Sequence, residues 1–139
     1  MPTTKEFSIQ MDDQPGILGK VCRPLADRGV NILAFQSQPS EGKGKCQVRL
    51  VVDDPTTAKS VLDNQKVKYT EQQVAQCKLP HRVGELARVA SKLGDAKINI
   101  DYSYCGLEAG TNEPLLIFGV ADTGKAAKIL DEAAAAARA

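Results

Sequence analysis

Two short loops carry residues whose types and spacing suit the binding of a small zwitterion. Gly16 and Gly84 each stand immediately before a predicted helix. Backbone amides and the positive dipole end at a helix N-terminus favour a carboxylate, and glycine permits close approach to the backbone. Asn31 and Asn99 open later strands, and their side chains offer both a donor and an acceptor. This recurrence predicts an amino-acid site, with glycines that serve only the turn as the alternative.

The sequence contains no residue pattern that predicts catalysis or metal binding. His81 is the only histidine, so a histidine-dependent active site in both loops is excluded. Cys22, Cys46, Cys77 and Cys105 show no C-x-x-C spacing, and free cysteine behaves as a small hydrophobe. We therefore expect plain thiols with no metal and no cofactor. An enzyme that uses these thiols is the most remote alternative.

A gap-free internal repeat positions both loops. Residues 4–64 align with a second copy at a constant offset of 68 residues, and such self-similarity marks a duplicated structural unit. Identical pairs include Gly16/Gly84, Leu18/Leu86, Val21/Val89, Leu25/Leu93, Asn31/Asn99, Ile32/Ile100, Asp54/Asp122 and Leu62/Leu130. The repeat predicts two domains, over residues 1–71 and 72–139.

Each copy shows the pattern of an α+β domain. Phe7, Ile9 and Met11 alternate with polar residues, which is typical of a half-buried strand. An apolar stripe after Gly16 predicts the first helix. Asp54, as a capping residue before a proline, predicts the second. With the intervening strands, the expected fold is two tandem ferredoxin-like βαββαβ sandwiches, each with an antiparallel sheet and helices on one face.

The copies diverge at their ends. In the first copy, a strand from Lys66 is expected to continue into the first strand of the second copy. In the second copy, the alanine-rich residues 133–139 predict a longer helix in place of the last strand. Strand 72–79 should then have an unpaired edge, which proteins usually cover. We expect a strand from the other repeat or from a second chain to cover it, and therefore a homodimer.

Composition argues against several other functions of this fold. The net charge is +1 with acids and bases interspersed, which gives no electrostatic footprint for nucleic acid or an anionic membrane. Only 4% of residues are aromatic, so the stacking platform of an RNA-recognition module is absent. No stretch is apolar enough to span a bilayer, and the N-terminus lacks a signal-peptide pattern. A cytoplasmic location is expected.

The motif Asp13-Gln14-Pro15-Gly16-Ile17-Leu18, followed by Leu25-Ala26-Asp27-Arg28-Gly29-Val30-Asn31-Ile32, resembles the ACT domain pattern D-x-P-G-h-L and h-A-x-x-G-h-N-I. The resemblance extends over both copies and to small proteins that consist of two ACT domains. ACT domains are βαββαβ regulatory modules that usually bind amino acids at the interface between two domains. The resemblance implies that Gly16, Ile17 and Leu18 offer amides to the ligand carboxylate. It implies further contacts from Asp13, Gln14, Pro15 and Asn31, with Asp13 and Asn31 addressing the amino group or side chain.

The second copy departs from this motif. The resemblance places its ligand-binding residues at His81, Arg82, Gly84, Glu85, Leu86 and Asn99. His81 replaces the acid and Val83 replaces the proline, so the two sites are expected to be unequal. His81 and Arg82 are either a solvated loop or a cationic site for an anionic ligand, such as an acidic amino acid.

These patterns predict a non-catalytic regulatory protein whose partner is a small molecule, with an amino acid expected at ACT domain interfaces. The alternative is a protein–protein adaptor, or a regulatory subunit that docks on an enzyme of amino-acid metabolism without binding a ligand itself.

Overall fold

A computed structural model describes residues 3–107 and 110–138. The elements are β1 (Thr3–Asp12), α1 (Ile17–Asp27), β2 (Ile32–Pro39), β3 (Lys45–Val52), α2 (Pro55–Asn64), β4 (Lys68–Lys78), α3 (Glu85–Asp95), β5 (Tyr102–Leu107), β6 (Pro114–Gly119) and α4 (Thr123–Arg138). The chain divides into two compact units. The first unit is Lys5–Gln72, and the second is Gln73–Ala139 together with Met1–Thr4.

The first unit is an antiparallel sheet with two helices on one face. β3 lies between β1 and β2 and is antiparallel to both. β4 is a hydrogen-bonded neighbour of β1, and an ion pair of 3.0 Å joins Lys5 of β1 to Glu71 of β4. The core side chains come from the helix-facing side of the sheet and from both helices: Phe7, Ile9, Val48 and Leu50 with Val21, Leu25, Val61 and Leu62. The predicted α+β architecture with an antiparallel sheet is confirmed.

The polar side of β1 differs from the sequence prediction. Alternation predicted a half-buried strand, yet Glu6 is 0% exposed and Ser8 is 4% exposed. Gln72 Nε2 donates to Glu6 Oε1 at 2.5 Å, and Gln47 Nε2 donates to Ser8 Oγ at 2.5 Å. Buried polar groups are tolerated when they are hydrogen-bonded. The prediction was wrong at these two positions because alternation reports polarity rather than burial.

The second unit has the same helix-on-sheet layering. β6 pairs antiparallel with both β4 and β5. Val89, Leu93 and Leu130 from the helices pack with Ala75 and Phe118 from the sheet. Residues 133–138 continue α4, as their alanine content predicted, and in the described residues no strand follows β6.

The edge of β4 is not left open. Thr3 and Thr4, at the start of β1, belong to the second unit, and β1 is a hydrogen-bonded neighbour of β4. β1 belongs to the first repeat, so the strand beside β4 is one of the two covers that were expected, and the homodimer stays a prediction.

At one cross-strand pair, the two copies differ in which strand carries the larger side chain. Ala34 pairs with Val51 in the first unit, and the corresponding pair in the second unit is Tyr102 with Gly119. A Cβ placed on Gly119 would lie 2.3 Å from the Tyr102 ring. The larger tyrosine is accommodated because its partner has no side chain.

We predict that Gly119→Ala lowers the free energy of unfolding by about 1–3 kcal/mol, since the Tyr102 ring must leave its position. Urea denaturation followed by circular dichroism measures the loss. Gly94→Ala is the control, because a Cβ there meets nothing within 4 Å and alanine favours a helix. In a Tyr102→Ala background, Gly119→Ala should cost little. An equal loss of unfolding free energy with and without the Tyr102 ring would contradict the view that Gly119 makes room for this ring.

Candidate functional site

The first loop leaves backbone amides available at the start of α1. Gly16 has a left-handed backbone conformation, with φ at 88°, and no side chain caps the helix. Ile17 N–H donates to the Gln14 carbonyl at 3.2 Å. Leu18 and Gly19 N–H have no acceptor among the described residues. Two adjacent amides at the positive end of a helix can bind a carboxylate.

This geometry modifies the set of amides that the resemblance implied. The Ile17 amide closes the turn with Gln14, whereas the Leu18 amide is available as expected. Gly19 was missed by sequence reasoning. Its position in the first turn, three residues after Gly16, is the signal that would have identified it.

The same loop is attached to the hairpin between β2 and β3. Asp13 N–H donates to the Gly44 carbonyl at 2.7 Å, and Lys45 Nζ lies 2.5 Å from Asp12 Oδ1. The hydrogen bond and the charge of Lys45 hold the pKa of Asp12 below its usual range. Both contacts hold the exposed loop over the end of the sheet.

Asn31 lies at the other end of the sheet. Its N–H donates to Asp53 Oδ1 at 2.9 Å, and Asp53 N–H donates to the Asn31 carbonyl at 3.0 Å. Asp12 pairs with Lys45, whereas Ile32 pairs with Val52 at the far end of β3. At about 3.3 Å per strand residue, these two ends are roughly 20 Å apart. Within the first unit, the structure therefore does not bring Asn31 together with the loop at Asp13.

The second loop repeats the backbone geometry. Gly84 has φ at 89°, and Glu85 N–H donates to the Arg82 carbonyl at 3.3 Å. Leu86 and Ala87 N–H have no acceptor in the described part of the chain. The amide arrangement of the first loop is thus present twice.

The side chains of the second loop differ from those of the first. Glu85 stands in the first turn of α3, and its carboxylate accepts two hydrogen bonds from Arg88, each of 3.2 Å. These bonds hold the pKa of Glu85 below its usual range. The Glu85 carboxylate thus already lies at the positive end of α3, with Arg88 and Arg82 beside it.

Arg82 is engaged by the last helix. Its guanidinium donates to the Ala137 carbonyl at 3.1 Å and lies 3.7 Å from Glu85, while Arg88 donates to the Ala133 carbonyl at 3.1 Å. His81 is exposed. The guanidinium of Arg82 is therefore held in part by these two contacts, while 58% of the Arg82 side chain is exposed.

The two asparagines have different partners. The side chain of Asn31 makes no hydrogen bond to another described residue, whereas Asn99 Nδ2 donates to Asp101 Oδ1 at 3.0 Å. The sequence explains the difference, because the position of Asp101 is occupied in the first copy by Leu33, which offers no side-chain acceptor. Only Asn31 presents an amide that is not already engaged by another described residue.

Three of the thiols show no sign of activation. Cys46 and Cys77 are buried. Burial raises the pKa of Cys77 to about 11 and also raises the pKa of Cys22 and of Cys46. A raised pKa keeps a thiol protonated and unreactive at neutral pH.

Residues 3–107 and 110–138 contain no group of three or more histidine, cysteine or acidic side chains placed to hold a metal. None of the helices in these ranges has the length and apolar character needed to cross a membrane.

Comparison with protein families supports the sequence motif. Residues 5–66 match the ACT domain family model, and this range lies within the first unit. No curated protein matches the sequence.

Solved structures share the fold over nearly the whole chain. A Bacteroides thetaiotaomicron protein is similar at a TM-score of 0.79 and 25% identity, covering 94% of this chain and 88% of that one. The ligand-free regulatory subunit of aspartate kinase from Thermus thermophilus is similar at a TM-score of 0.66 and 18% identity, covering 98% and 92%. The corresponding subunit from Thermus flavus gives 0.64 and 19%, covering 96% and 93%.

We predict that Lys45→Met raises the pKa of Asp12 toward the value of 3.8 for an unperturbed aspartate. In the native protein the contribution of the ion pair to stability is present above the unfolded pKa and is lost as pH falls through the lowered folded pKa. A carboxyl-detected NMR titration measures the pKa in each variant. Lys43→Met removes a neighbouring hairpin charge without removing the ion pair, so it should leave the pKa of Asp12 nearly unchanged. Equal shifts in the two variants would contradict the assignment.

Proposed function

We propose that the protein is a non-catalytic regulatory protein whose two copies, residues 1–71 and 72–139, are both ACT domains, and that it binds an amino acid. The observation that carries this proposal is the uncapped start of α1, where the Leu18 and Gly19 amides have no acceptor among the residues that the structure describes. The family match over residues 5–66 supports the same function for this loop.

The first loop is the principal site in this proposal. Leu18 and Gly19 donate to the ligand carboxylate, and Gly16 allows its close approach. Asp13, Gln14 and Pro15 form the exposed rim, on which Asp13 is the acid available to an ammonium group. The second loop, with His81, Arg82, Gly84, Glu85 and Leu86, binds more weakly because Glu85 already places a carboxylate there.

A second copy of the chain completes the site. Because Asn31 lies roughly 20 Å from the loop of its own unit, it reaches a ligand in that loop only from another molecule. Its side chain makes no hydrogen bond to another described residue, which suits this role. We therefore propose a homodimer in which Asn31 of one chain faces the first loop of its partner. Asn99 is the equivalent residue for the second loop.

The alternative function is an adaptor that docks on an enzyme without a ligand of its own. Its support is the structural likeness to regulatory subunits of aspartate kinase. An enzyme of amino-acid metabolism is the corresponding partner, in the cytoplasm. The two functions differ in whether an amino acid stabilises the isolated protein.

A thermal-shift screen against the twenty amino acids tests the proposal. A ligand at a thousand times its Kd stabilises the folded state by about 4 kcal/mol, so one amino acid should raise the Tm clearly. Gly16→Asp should abolish this shift because its carboxylate occupies the ligand's position. Gly29→Asp is the matched control, since Gly29 also has a positive φ and open space around it but lies at the far end of α1. If no amino acid raises the Tm, the adaptor function is favoured.

Mixing two inactive variants tests the dimer. Gly16→Asp and Asn31→Ala should each lose the ligand-induced shift when alone. In a mixed dimer, one of the two sites combines an intact loop with an intact Asn31, so part of the ligand binding should return. Recovery measured by calorimetry supports a site shared between chains. Absence of recovery, or a strictly monomeric protein by light scattering over a wide concentration range, would contradict it.

A further inference from the structure

Three glutamines form a cross-strand row on the face of the first sheet that is opposite to the helices. Gln10 pairs with Gln47, and Gln38 pairs with Gln47 on its other side. Residues paired in this way lie side by side on one face of a sheet. The row is near the end of the sheet that carries the hairpin between β2 and β3, and we call it the glutamine row.

The glutamine row is part of the lining of an open cavity. The cavity has a volume of about 430 Å³, within the roughly 300–1,000 Å³ typical of small-molecule sites. The hairpin forms its remaining wall through residues Pro39, Ser40, Glu41, Gly42 and Lys45. All of the lining belongs to the first unit.

The central glutamine of the row is fixed by hydrogen bonds, whereas the two outer glutamines are exposed. Gln47 donates to Ser8 Oγ and accepts from Arg49 at 3.4 Å, so its position is constrained on both sides. The side chains of Gln10 and Gln38 are exposed and make no hydrogen bond to another described residue. Two carboxamides are therefore available to bind a ligand beside a third that is held in place.

A neighbouring carboxamide also has an unused acceptor. Gln36 pairs with Arg49 in the next row of the sheet, and its Oε1 is buried without a hydrogen-bond donor among the described residues. Gln36 is not part of the lining of the cavity, so its acceptor is not counted among the groups available to a ligand there.

The second copy shows that the fold does not require these glutamines. The positions of Gln10, Gln38 and Gln47 correspond to Lys78, Gly106 and Leu115, and Gln36 corresponds to Tyr104. The second unit forms the equivalent pairs of strands without a single carboxamide in the row. The glutamine row is thus a property of the first copy rather than of the repeated fold.

We propose that this cavity is a second ligand site, distinct from the loop at Gly16, for a small zwitterion that carries a carboxamide. A carboxamide presents a donor and an acceptor side by side, and another carboxamide complements both. Glu41 and Lys45 place charges of opposite sign on the rim, and Lys45 is shared with Asp12. In such a ligand the amide end would meet the glutamine row, and the two charged groups would meet Glu41 and Lys45 on the rim.

The test uses L-glutamine as the probe and L-glutamate as its matched analogue without the amide. NMR titration of the full-length protein follows the side-chain NH2 signals of Gln10, Gln38 and Gln47. L-glutamine should shift them along a saturable curve, and L-glutamate should bind far more weakly. Gln38→Leu should weaken L-glutamine binding roughly three- to tenfold. Gln73→Leu, an exposed strand glutamine outside the cavity, should leave it unchanged.

The outcomes separate this site from the loop site. Saturable shifts in the glutamine row that persist in Gly16→Asp support a second site. Shifts confined to the backbone amides of Leu18 and Gly19 would overturn the second site and leave the proposed function standing. Equal binding of L-glutamate, or full affinity in Gln38→Leu with native circular dichroism, would overturn the assignment of a carboxamide ligand.

Discussion

The left-handed backbone at Gly16 and Gly84 is the constraint on which the candidate site depends. Any other residue would be strained at these φ values of 88° and 89°, and glycine has no side chain with which to cap the helix that follows. The contrast with α2 is direct, because Asp54 accepts from Thr57 N–H at 3.1 Å and caps that helix. The chain therefore caps the start of α2 with its own carboxylate and leaves the starts of α1 and α3 without a side-chain cap. In the proposed site, a ligand carboxylate takes the role at α1 that the Asp54 carboxylate has at α2.

The copies have diverged in what surrounds this shared backbone. In the first unit, Lys45 of the hairpin pairs with Asp12 and leaves the helix terminus free. The corresponding hairpin residue in the second unit is Glu113, which pairs with Arg138 of α4. Extension of α4 in place of a last strand thus brings carbonyl and charged groups to the second loop, where Arg82 and Arg88 bind them. The loss of a strand and the change in loop chemistry are two aspects of one rearrangement.

The sheet shows a similar division of roles. Its helix-facing side is apolar in both copies, since burying that surface drives folding. The opposite side in the first copy includes a polar set, Glu6, Ser8, Gln47 and Arg49, which is linked by hydrogen bonds and an ion pair. In the second copy Val74, Leu115 and Ile117 occupy three of the corresponding positions and are buried. The same pairs of strands therefore form with either chemistry on this side of the sheet.

The sequence by itself determined the elements and their order. Alternation at Phe7 and Ile9, the helix start at Asp54 and the alanine run before Arg138 are local signals, and local signals are sufficient for helices and strands. Only the tertiary structure decided which ends meet. Strand order places Asn31 far from the Gly16 loop. Long-range contacts bury Glu6 and Ser8 and hold Arg82 against α4. Periodicity does not encode these, because it records which face a residue occupies and not what lies opposite to that face.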